Sequence, residues 1–250
     1  MIDIAGLIAE NIIYVLLITL GGVLVSVSVH FVPVGGAPAA MAQACGIGTG
    51  TVQLAAGAGL TGLVTAGAMM GVTDNIGLVL ASGTVGGMIM IAVTMIVGNW
   101  VYFYGVGCPA ASAKVKYDPI TKDRQDLYIS QGTEGHAIPT VSFVSGVIGA
   151  GLGGLGGGLV YYALLKIGEV ASGLTVKDIM STTGHELVGL ASIFAVGIFF
   201  MNAVIPSYNI GGTIEGFHDP KFKRWPRAAI TSLVVTFLCA ILAVVTLGGM

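Results

Sequence analysis

Charge is what this sequence has least of. Of its 250 residues, ten are Lys or Arg and twelve are Asp or Glu, 9% in all, against roughly a quarter in soluble domains. Between Asn11 and Ala113 the only charged residue is Asp74, and Gly135–Leu165, Leu187–Ile214 and Ala228–Met250 contain none. A water-facing surface of ordinary size cannot be assembled from so few ions. Cysteine is equally sparse: Cys45, Cys108 and Cys239 stand far apart, without a Cys-x-x-Cys pair or a metal spacing. No basic stretch precedes the first apolar run, so no cleaved leader is expected. No nucleophile–base pair and no His-Glu-x-x-His motif is visible. These absences exclude a cytosolic enzyme, a nucleic-acid binder and a secreted disulfide scaffold.

What the sequence has instead is apolar length and glycine. Hydrophobic residues make up 55%, mean hydropathy is +0.93 and there are 40 Gly. Uncharged apolar runs longer than about 18 residues read as membrane spans. Six are expected, at about 12–31, 52–72, 76–103, 141–165, 187–205 and 228–247. The fold class is therefore an all-α integral membrane protein, a single polytopic domain over 1–250 with no sizeable soluble part. Segment 39–50 reads either as an extension of the second span or as a re-entrant piece. Trp100, Tyr102 and Tyr104 read as an interfacial aromatic belt.

Six spans put the loops at about 105–136 and 207–227 on one face. One carries Lys114, Lys116, Lys122 and Arg124; the other carries Lys221, Lys223, Arg224 and Arg227. Eight of the ten basic residues then share a face, which the positive-inside rule makes cytoplasmic, with both termini outside. These basic residues are the expected docking contacts for a cytoplasmic partner. The two loops share a Gly-Thr…Glu-Gly…His wording, but in an order that makes no repeat.

Gly149 opens a match to Gly-x-Gly-x-x-Gly, but it lies inside an apolar span with no strand before it. The same residues read Gly149-xxx-Gly153-xxx-Gly157, a pattern that lets helices approach closely in lipid. Gly67, Gly71, Gly83, Gly86 and Gly87 argue likewise. Helices this rich in small residues call for many neighbours, and assembly with other membrane subunits is expected.

Three residues are candidate ligands on a cation path. Asp74 is the lone charge of its stretch, though Thr73 and Asn75 beside it are turn formers. Glu186 closes Thr183-Gly-His-Glu, which also reads as a capping box opening the fifth span. Asn202 precedes Pro206 by one turn, and a proline frees carbonyl oxygens of the kind a hard cation accepts. Interhelical hydrogen bonding is the commoner use of such an Asn. His30, Gln43, Gln53 and Asn99 are ambiguous in the same way. Glu134, His136, Glu215 and His218 form two Glu/His pairs with no zinc spacing.

The wording of two segments goes further than physics does. SQGTEGHAIPTVSFVSG (Ser130–Gly146) and MNAVIPSYNIGGTIEGFHDP (Met201–Pro220) resemble the D-subunit family of tetrahydromethanopterin S-methyltransferase from methanogenic archaea, and the resemblance extends along the whole chain. It implies a complex in the cell membrane that moves a methyl group from methyl-tetrahydromethanopterin to coenzyme M and drives Na+ out of the cell. It also implies a corrinoid on a partner subunit, no cofactor on this chain, and multispanning C and E subunits as partners. No residue inherits a catalytic role from it. Conformational coupling is the expected mechanism: a cytoplasmic partner docks differently on the basic loops as methyl transfer proceeds. Moving one charge against 100 mV takes about 2.3 kcal/mol, within reach of a modest docking difference. The competing expectations are a stand-alone transporter or channel and a purely structural membrane anchor.

Overall fold

The computed structural model describes residues 3–33, 49–107, 110–111, 115–126, 137–181, 184–210 and 216–249. Asp3 accepts a hydrogen bond from the Gly6 amide (3.0 Å) and starts a short α1 (Ile4–Glu10), which breaks at Asn11. From there α2 (Ile12–Phe31) runs until Val32, held extended before Pro33. After α3 (Thr49–Met70) comes the polar turn at Thr73, Asp74 and Asn75. The Asn75 side-chain oxygen accepts from the Gly77 and Leu78 amides (2.9 and 3.3 Å) and so opens α4 (Ile76–Trp100). A π-turn over Val101–Val106 follows, closed by Gly107 in the left-handed region (φ 72°).

The longest helix, α5 (Thr140–Ser172), passes Lys166 and ends at left-handed Gly173 (φ 71°). A capping box between Thr175 and Asp178 opens α6 (Val176–Met180). Then come α7 (His185–Ile210), a 3₁₀ turn (Pro220–Arg224) and α8 (Trp225–Leu247), with a proline in its first turn.

The chain is an all-α membrane protein. Five helices, α2, α4, α5, α7 and α8, are each long and apolar enough to cross a membrane. With 22 residues α3 matches them in length; its Gly- and Thr-rich sequence is carried by packing between α4 and α5. The six alternate in direction. On the loop face, Phe31 meets Phe222 edge to face (4.9 Å) and the Ser145 hydroxyl donates to the Phe31 carbonyl (2.7 Å). On the opposite, termini face, Leu7 of α1 lies against Gly248 and Lys177 reaches Asp74.

Helix α5 is the centre, with α2, α3, α4 and α7 packed around it. Its glycines are packed inside the chain, against α2, α3 and α4. A methyl group on Gly154 would collide with the backbone of Gly83, and one on Gly62 with the backbone of Gly154. Gly157 meets Gly59 and Gly156 meets Gly21 in the same manner. In lipid, where tails are as apolar as Leu, such backbone proximity is a main source of helix–helix attraction.

Candidate functional site

The termini face is acidic. Asp3, Glu10, Asp74, Glu169, Asp178 and Glu186 stand there with Lys166 and Lys177. Asp74 is 86% exposed by its side chain and pairs with Lys177 at 3.2 Å, a surface geometry of small energetic weight. Lys166 pairs with Glu169 one turn along α5. Glu186 is exposed in the first turn of α7; Thr183, the other half of its expected capping box, lies outside the described residues.

The loop face is the basic one. Arg124 donates to Asp126 (2.6 Å), and this hydrogen bond holds the Asp126 carboxyl below its ordinary range and the Arg124 guanidinium above its own. Lys122 takes a left-handed backbone (φ 69°) and its ammonium donates to the Pro119 carbonyl (2.7 Å). Arg224 donates to the carbonyls of Ile210 (2.8 Å) and Asn209 (3.3 Å), while Asn209 donates back to the Arg224 carbonyl (2.8 Å). It thereby satisfies the last carbonyls of α7 and places a cation at that helix's negative end. Lys116 and Lys223 are exposed, the former 5.8 Å above the Tyr117 ring. Lys221 is half-buried, with its amide donating to Asp219 (2.8 Å). Lys114, Cys45, Cys108, Gln43, Glu134, His136 and Glu215 lie outside the described residues, as does most of 39–50.

One loop carboxylate was not singled out by sequence. Asp118, 1% exposed, accepts from the Ile120 and Thr121 amides (2.8 and 3.1 Å) through one oxygen and from the Val141 amide (3.2 Å) through the other. Pro139, at the start of α5, offers no side-chain cap. Asp118 supplies it from the preceding loop and pins that loop to the central helix. Asn99 does similar work: its amide donates to the Ile138 carbonyl (3.0 Å) and accepts from the Ile138 amide (2.6 Å).

Between the faces lies a buried polar pair. The Asn202 amide on α7 donates to the Thr236 hydroxyl on α8 (2.8 Å) and to the Ile198 carbonyl (2.9 Å), and Thr236 lies 3.0 Å from Asn202 Oδ1. Gly22 of α2 makes the room, since a methyl there would stand 2.7 Å from Thr236 Oγ1 and 2.8 Å from Asn202 Nδ2. Three helices thus meet around two fully buried polar side chains. Pro206 does not end α7; the helix continues through it to Ile210. The proline has no N–H to give the Asn202 carbonyl four residues earlier, so that oxygen loses its helical partner. Thr236 was missed in the sequence, being one Thr among many until α7 and α8 are in register.

The three candidate cation ligands are not brought together. Asn202 follows Glu186 by sixteen residues of one helix, about 24 Å along its axis. Asp74 stands with Glu186 at the termini face. Among the described residues, no group of three or more His, Cys, Asp or Glu side chains is poised to hold a metal ion.

Comparison with known proteins adds what geometry does not. The family model for the D subunit of tetrahydromethanopterin S-methyltransferase matches residues 11–236, covering all six long helices except the last turns of α8. The chain belongs to that family. It is 73% identical over 242 residues to the D subunit of Methanosarcina barkeri, covering 96% of this chain and 97% of that one. It is 55% identical over 232 residues to that of Methanothermobacter marburgensis (93% and 95%) and 51% identical over 233 to that of Methanocaldococcus jannaschii (90% and 93%). The match therefore spans the bundle, and this polytopic membrane chain is named in its family as one subunit of a methyltransferase.

Proposed function

We propose that this chain is a membrane subunit of the complex that transfers methyl from methyl-tetrahydromethanopterin to coenzyme M while moving Na+ out of the cell. Its role is in the ion-translocating membrane part rather than in methyl transfer. The observation that carries this reading is the family match along residues 11–236 of an all-helical membrane chain. The corrinoid belongs, in this reading, to a partner subunit, and the multispanning C and E subunits are the neighbours in the membrane. The basic loop face is cytoplasmic under the positive-inside rule, which leaves both termini and the acidic face outside the cell membrane. Exposed Lys116 and Lys223, with Lys114, Lys122, Arg124, Lys221 and Arg224 on the same loops, receive a soluble subunit. Arg224 also reports on α7, because it grips that helix's end.

Asn202 is the interior candidate on the sodium path. Asp74 and Glu186 serve as carboxylates at the outer mouth, where negative charge raises the local concentration of a cation. The test is sodium-stimulated methyl transfer by the purified complex carrying Asn202→Ala, Asp74→Ala or Glu186→Ala. The expected result is a raised sodium requirement for Asn202→Ala and a smaller rise, steepest at low ionic strength, for the two carboxylate variants. An unchanged sodium requirement in all three would overturn the path. Labelling of single cysteines placed at Lys223 and at Asp74 from either side of sealed vesicles tests the orientation; labelling of Lys223→Cys from outside the cell would reverse it.

A further inference from the structure

Four residues along from Gly22 on α2 is Ser26, and four residues back from Thr236 on α8 is Ser232. The two helices run antiparallel and touch at Gly22 and Thr236, so helical register places Ser26 and Ser232 on the next level of the same seam, about 6 Å nearer the loop face. Both are 0% exposed, and neither hydroxyl has a hydrogen-bond partner among the described residues. At that level α7 contributes buried Pro206, below which the Asn202 carbonyl stands without its helical donor. One turn further on stands fully buried His30.

Orphaned polar atoms are rare in folded interiors and costly in hydrocarbon, yet here two hydroxyls and a freed carbonyl share one three-helix seam. The donor chemistry is uniform: two hydroxyls, a freed carbonyl and, one level away, the Thr236 hydroxyl and Asn202 amide oxygen. All are neutral oxygens, and the described residues bring no carboxylate to the seam. Neutral oxygens replace the water shell of a monovalent cation, as rings of carbonyls do in selective pores, whereas tight sites for divalent ions add carboxylates.

We propose that the α2–α7–α8 seam binds a small monovalent cation between Ser26, Ser232 and the Asn202–Pro206 break, with Thr236 and Asn202 behind it. This deepens the translocation reading and rests on it for the identity of the ion, Na+. His30 closes the seam toward the loop face, where α2 ends against Ser145 and Phe222. An ion on the seam is therefore one helical turn from the segment that a docking partner would move.

The test uses the purified complex and ²²Na+ binding, with choline as the inert cation. In the Ser26→Ala/Ser232→Ala variant one class of sites, one per copy of this chain, weakens at least about tenfold, while the melting temperature in choline stays that of the unaltered complex. Ser232→Ala alone serves the same purpose, with a smaller weakening, should the double variant fail to assemble. Sodium binding unchanged in affinity and stoichiometry would overturn the proposal, and so would equal stabilisation of the unaltered complex by Na+ and choline, which would leave ordered water as the seam's occupant. Methyl transfer indifferent to sodium would instead overturn the translocation reading, and the binding comparison would still decide the seam.

Discussion

Two adjacent glycines on α2 belong to two different kinds of helix packing. Gly21 faces α5, where its neighbour is the Gly156 backbone; Gly22 faces α7 and α8, where its neighbours are the polar ends of Asn202 and Thr236. On the α5 side the glycines bring backbone against backbone, and the contact is close. On the other side the same absence of a Cβ leaves space that polar side chains enter. A bundle in lipid gains little from hydrophobic burial between helices, so its rigid part is built by close approach. The other part keeps hydroxyls, an amide and a broken helix ladder inside. The first arrangement suits a scaffold, the second a place where something binds or moves.

Substitution in the backbone-packed half breaks this contrast most sharply. Gly154→Val puts three carbons where the Gly83 and Gly87 backbones already stand. Neither neighbour is a flexible side chain that can turn away, so the helices must separate. The expected loss is about 3 kcal/mol or more, seen as a fall in melting temperature or in the yield of assembled protein. Gly197→Ala on α7, with nothing within 4 Å of the added methyl, is the matched control and is expected to gain about 0.5 kcal/mol from helix propensity.

Next in size is the cap on the central helix. Asp118→Ala removes the acceptor of three backbone amides, one of them at the start of α5. Loss of about 2 kcal/mol is expected, together with faster proteolysis of the 115–126 loop. Asp118→Asn keeps an oxygen for part of that set and is expected to fall between the two.

The polar half sharpens the comparison by a different signature. Asn202→Leu leaves Thr236 facing an apolar side chain, at a cost of about 1 kcal/mol, the usual scale of an interhelical hydrogen bond in membranes. Asn202→Leu with Thr236→Val removes both partners and is expected to cost less than the sum of the single changes, because no buried polar group is orphaned. No second substitution rescues Gly154→Val in that way. A double-mutant cycle on melting temperature reads the difference directly.

The sequence made the all-α membrane class legible because uncharged runs of that length have few other physical outcomes. It made Asn202 legible too, since an amide one turn before a proline in an apolar run is conspicuous. Partnership was harder to see. Thr236 becomes significant only when α7 and α8 are in register, and Ser26 and Ser232 only when α2 and α8 are antiparallel. Asp118 is 22 residues upstream of the residue at which α5 starts, so no local capping pattern reveals it. Arg224 reads as one more basic loop residue until the end of α7 arrives beneath it. The glycines were legible only in part for a related reason: composition shows that close contacts exist, and only topology shows which of them α5 makes within the chain.

The smallest effect is expected where the sequence placed the most weight. Asp74 is alone in a 103-residue stretch of uncharged sequence, which makes it prominent on paper. In the bundle it stands in water beside Lys177, at the turn between α3 and α4. An exposed pair of this kind gains little Coulomb energy and is screened by salt. Asp74→Ala is therefore expected to shift stability by no more than about 0.5 kcal/mol. Any effect on sodium dependence should fade as ionic strength rises, because a charge at a mouth acts through its field. A defect at Asn202 should persist at high salt, because a donor inside the seam acts by contact. Measuring both variants across a series of choline chloride concentrations separates field from contact. An Asp74→Ala defect that high salt leaves intact would move the proposed binding step from the polar seam to the acidic face.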